Sequence, residues 1–68
     1  MIRASNLIKD PDMELEGKFR TLYDKRQTGW PWQDIETALN IMAERGWVPI
    51  TMAISDQGGD ICVIMERK

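Results

Sequence analysis

The segment from Pro31 to Trp47 constrains this chain more than any other, because it carries a start, a stripe and a stop for one amphipathic helix. Pro31 suits the first helical position, where its missing N–H costs nothing. Asp34 and Glu36 place acid at the positive end of the helix dipole. Trp32, Ile35, Leu39 and Met42 recur at helical spacing, with Ala38 and Ala43 widening the stripe. Gln33, Thr37, Asn40 and Glu44 take the opposite side. Ile41 reads as lying off the stripe, about 180° around on the 3.6-residue period, and so as a second contact surface. Arg45 puts a cation in the last turn, Gly46 stands where a left-handed residue ends a helix, and Trp47 follows in position to fold back on that turn.

Two alternating runs follow. Val48, Ile50, Met52 and Ile54 are expected on one side of a strand, with Pro49, Thr51 and Ala53 on the other. Ile61, Val63 and Met65 alternate with Cys62 and Ile64 in a second strand. Asp56-Gln57-Gly58-Gly59-Asp60 is dense in turn residues and joins the two as a hairpin. Before the helix, Phe19, Thr21 and Tyr23 alternate with Lys18, Arg20 and Leu22, which reads as a strand over a rival helix from Met13 to Arg26. Residues 18–68 thus form a β-α-β-β domain, an α+β fold with one amphipathic helix on a small, mostly antiparallel sheet. Residues 1–17 read as an N-terminal arm or short helix, docked on a partner or partly disordered.

Composition mainly excludes. With 68 residues there is room for one domain, and such a chain buries only about 60% of its unfolded surface. It has no histidine, the commonest metal ligand and neutral-pH general base. Its single cysteine, Cys62, cannot close an intrachain disulfide or build a zinc site. We therefore expect no metal, no cofactor and no enzyme activity. A free thiol without a signal peptide suits a cytoplasmic protein. The net charge of −2 lacks the positive field a DNA binder needs, and the longest apolar run, Ile61 to Met65, is too short for a membrane span.

At the helix-to-strand junction, Leu39-Asn40-Ile41-Met42-Ala43-Glu44-Arg45-Gly46-Trp47-Val48 resembles the LN-x-L-A-x-x-GWE signature of a family of small bacterial, archaeal and phage domains of unknown function. That resemblance implies a first strand matching Phe19 to Lys25, the helix, the Gly-Trp turn, and a hairpin whose last strand matches Ile61 to Arg67. Here Val48-Pro49 replaces the usual Glu-Leu. The family carries no assigned catalytic residues.

Two functional expectations follow. Cys62, Ile64, Ala53 and Leu22 are expected on the sheet face away from the helix, an apolar face that needs cover. Together with Ile41, Cys62 and Ile64 mark an interface, and the chain reads as a non-enzymatic interaction module that forms a homo-oligomer, a dimer or larger. The alternative is a protein that binds or sequesters a nucleotide-like small molecule, with Arg20, Lys25 and Arg26 beside the aromatic plane of Trp30. Against it, such charges form a solvated rim in most proteins, with Lys25 or Arg26 paired to Asp24 or Asp34.

Overall fold

A computed structural model describes residues 1–26, 29, 32–54 and 59–68. Its elements are β1 (Ile2–Arg3), α1 (Ala4–Lys9), β2 (Phe19–Lys25), α2 (Gln33–Glu44), β3 (Trp47–Ile54) and β4 (Asp60–Arg67). The sheet runs β1-β2-β4-β3. β4 is antiparallel to both β2 and β3, and β1 is parallel to β2. Two antiparallel steps make β2 and β3 parallel, so α2 is the crossover of a β-α-β unit split by β4.

The α+β fold and the mostly antiparallel sheet are as expected, but the element order is fuller. The segment before Gly17 adds a two-residue strand and a six-residue helix. Ile2, Ala4, Leu7 and Leu15 from it are buried in one cluster with Leu22, Ile35, Ala38, Met42, Trp47, Ile61, Val63 and Met65. It docks on this chain's own sheet. Sequence periodicity misses it because helix Ala4–Lys9 spans fewer than two turns, too short to show a stripe.

Asp24 fastens that segment. It is 6% exposed, and its carboxylate accepts the Ser5 backbone N–H at 3.0 Å and the Lys25 N–H at 2.7 Å. It is also ion-paired with Arg3 at 3.5 Å. The following loop is held from the other side. Arg45 donates to the Pro11 carbonyl at 3.0 Å, and the Arg67 backbone N–H donates to the Lys18 carbonyl at 2.8 Å.

The helix starts at Gln33, two residues later than Pro31 suggests, and Pro31 itself lies outside the described residues. The predicted stop is present. Gly46 has φ +90°, and Trp47 is 2% exposed with the Arg67 guanidinium 5.4 Å from its ring centre. The hairpin expectation is met by the antiparallel β3–β4 pairing, while Asp56, Gln57 and Gly58 fall outside the described residues.

Three placements differ from the expected ones. Leu22 is fully buried on the helix-covered face, opposite Val63. Ile41 is half-buried and packs against the core. Helical arithmetic puts it about 60° from Ala38 and about 100° from Met42, on the flank opposite Leu39 and Trp32. α1 packs against α2, so this helix buries two flanks rather than one stripe. In β3 the register slips between Pro49 and Thr51, leaving Ile50 as the extra residue. Val48 therefore lies opposite Glu66 on the open face, while Met52 and Ile54 lie opposite Val63 and Ile61 on the helix side. One alternation could not hold for the whole strand because a bulge reverses it.

Candidate interaction surface

The helices occupy one face of the sheet, and the molecule is 15 Å across its thinnest Cα dimension, which fits one helical layer on one sheet. Two apolar regions remain unsatisfied.

The first is a groove between α2 and β3. One part, of about 460 Å³, is lined by Trp32, Ile35, Glu36, Leu39 and Met52. An adjoining part, of about 340 Å³, is lined by Leu39, Pro49, Ile50, Thr51, Met52 and Val63. Glu36 is the one charged residue among these. The groove exists because the centre of the α2 stripe is spent on the sheet. Ile35, Ala38 and Met42 are buried, whereas Leu39 and Trp32 on the β3 flank are half-buried and leave β3 partly bare. Ile50 and Met52 are 51% exposed and Ile54 is 44% exposed. The bulge turns Met52 and Ile54 to the helix side, where Met52 lines this groove, a displacement that strict period-2 reading hides. The signal in the sequence was Pro49, which cannot donate to a ladder and commonly marks an edge strand.

The second region is the open face of the sheet. Its cross-strand rows are Phe19–Glu66–Val48, Thr21–Ile64–Thr51 and Tyr23–Cys62–Ala53. Ile64 is 39% exposed and Phe19 54% exposed. Cys62 and Tyr23 shelter each other and are half-buried. Threonines and Glu66 interrupt the apolar side chains, so this face is more mixed than composition suggests. Cys62 and Ile64 are on it as expected, and Ile41 belongs to the internal helix packing.

The basic set does not assemble. Arg20 is on the covered side of β2, half-buried, with its guanidinium 3.5 Å from the Glu16 carbonyl. Lys25 points to the other side and is five residues, or about 17 Å, along the strand. Arg26 is exposed, and its backbone N–H donates to the Gly59 carbonyl at 2.8 Å. Trp30 lies outside the described residues.

Among the described residues, no group of three or more Cys, Asp or Glu side chains is placed to hold a metal ion. No helix among them is long and apolar enough to cross a membrane. The chain matches no family model, no curated protein and no solved structure.

Proposed function

We propose that this protein is a non-enzymatic interaction module that works as a homo-oligomer in the cytoplasm of a prokaryote or phage-infected cell. The observation that carries this reading is the pair Met52 and Ile54, each about half exposed on the helix side of an edge strand, beside a groove with one charged residue in its lining. Isolated exposed apolar residues are ordinary, but exposed apolar side chains at the rim of an apolar groove on an edge strand are a contact-site signal. Burying each of these side chains fully would contribute on the order of 1 kcal/mol. For a chain with neither disulfide nor histidine-bound metal, such a contribution is large against its own marginal stability.

The small-ligand reading has weaker footing, since Arg20 and Lys25 face opposite sides of β2 and cannot close on one phosphate. Sedimentation equilibrium tests the preferred reading. The expected result is a reversible rise in mass above 7.9 kDa through the micromolar range. A single 7.9 kDa species up to high micromolar concentration would overturn it.

A further inference from the structure

We infer that the partner is a second copy of this chain, joined by antiparallel pairing of β3 with β3 about a two-fold axis at Ala53. The inference rests on the homo-oligomer reading and specifies its contact.

The hydrogen-bond alternation of the sheet supplies the first argument. Lys68 N–H donates to the Gly46 carbonyl at 2.9 Å, and Arg67 N–H donates to the Lys18 carbonyl at 2.8 Å. Even-numbered residues of β4 therefore bond toward β3 and odd-numbered ones toward β2. Ala53, opposite Cys62, bonds inward, whereas Met52 and Ile54, opposite Val63 and Ile61, turn their backbone N–H and C=O groups out from the edge. Pro49 and the bulge at Ile50 spoil the ladder before Thr51, so the usable edge is Thr51 to Ile54. In a symmetric antiparallel pair, both outward residues are satisfied when Met52 meets the partner's Ile54 and Ile54 meets the partner's Met52. Ala53 then faces the partner's Ala53 as a wide pair.

Side chains and charge agree with this register. Met52 and Ile54 are on the helix side, so the partner's Ile54 arrives beside Met52 at the mouth of the groove, about 5 Å away. The same two apolar residues thus supply the missing wall of both grooves. Trp47 to Ile54 contains no charged residue, so self-pairing opposes no like charges. Edge strands that remain unpaired are commonly guarded by lysine, inward charge, Pro or a bulge; Pro49 and the bulge at Ile50 guard the start of β3, whereas Thr51 to Ile54 carries none of these. Two four-stranded sheets become one continuous sheet with all helices on one side.

Cysteine cross-linking tests the register. Ala53→Cys is placed in a Cys62→Ser background, because Cys62 lies opposite Ala53 in the same chain. A wide antiparallel pair has Cα atoms about 4.5 Å apart, within disulfide range. Thr51→Cys in the same background is the control, since this register separates the two Thr51 positions by about 13 Å along the strands. Folding of each variant is checked by circular dichroism. The expected result is a covalent dimer from Ala53→Cys on mild oxidation, forming about tenfold or more faster than from Thr51→Cys. Equal rates, or no dimer beyond that of the urea-unfolded chain, would overturn the inference. If the wild type sediments as an oligomer while Ala53→Cys fails to link, this pairing is wrong and the homo-oligomer reading stands. If the wild type sediments at 7.9 kDa throughout, both are wrong.

Discussion

The two edges of this sheet are built in opposite ways. At one edge, β1 is two residues long and runs straight into α1, whose Ala4 and Leu7 are fully buried. Arg3 meets Asp24 there, and the same carboxylate takes the Ser5 N–H. At the other edge, β3 is eight residues long, carries no charged side chain, and leaves Ile50, Met52 and Ile54 about half exposed. A sheet of this size has two edges that invite pairing, and short or covered edges are the usual protection. The N-terminal segment provides that cover at β1 and contributes stability. Nothing equivalent from the chain's described residues lies over β3, the edge to which we assign the proposed association.

Substitutions at the two edges should separate these roles. Leu7→Ala should have the largest effect, lowering the unfolding free energy by about 2–5 kcal/mol in urea denaturation, as for other fully buried leucines. A loss under about 0.5 kcal/mol would mean that α1 is a dispensable arm. Asp24→Ala should cost about 1–3 kcal/mol, because the part-buried Ser5 N–H loses its acceptor. Arg3→Ala should cost under about 1 kcal/mol, since its side chain is 42% exposed and the ion pair is screened by solvent. Equal losses from the two would show that the ion pair, rather than the cap on α1, ties the N-terminus down. Gly46→Ala should cost about 1–2 kcal/mol from its φ of +90° alone, as an added Cβ meets no atom within 4 Å. The smallest effect on the isolated fold belongs to the β3 edge. Met52→Lys should change the stability of the single copy by under about 1 kcal/mol. It should also abolish the dependence of melting temperature on protein concentration that the proposed association predicts for the wild type. A wild-type melting temperature independent of concentration would count against any role for that edge in association.

How much of this was legible in the sequence depends on the length of each signal. α2 was readable because twelve residues repeat one period between acidic residues and Gly46. β4 was readable because Ile61, Val63 and Met65 keep strict alternation beside a central position in the sheet. β3 was readable as an element but misassigned in its faces, because the bulge at Ile50 inverts the pattern partway. α1 was legible only as one of two readings of residues 1–17, a short helix or an arm, because six residues show no period, and Asp24 passed for a rim carboxylate because its partner Ser5 is nineteen positions away. Ile41 was misplaced because a helix packed between a sheet and a second helix buries more than one stripe. The candidate contact surface was half legible. Cys62 and Ile64 are on the open face as alternation requires, whereas the groove beside Met52 arises from the flank of α2 meeting a bulged edge, a coincidence of two elements that no single window contains.

Amide hydrogen exchange at Met52 and Ile54, followed as protein concentration rises, tests the central claim most directly. Both amides point away from β4 in the single copy and should exchange freely when dilute. The account predicts that they become protected together through the micromolar range, while Leu22 and Val63 stay protected throughout. Exchange at Met52 and Ile54 that is fast and unchanged at every concentration would contradict it.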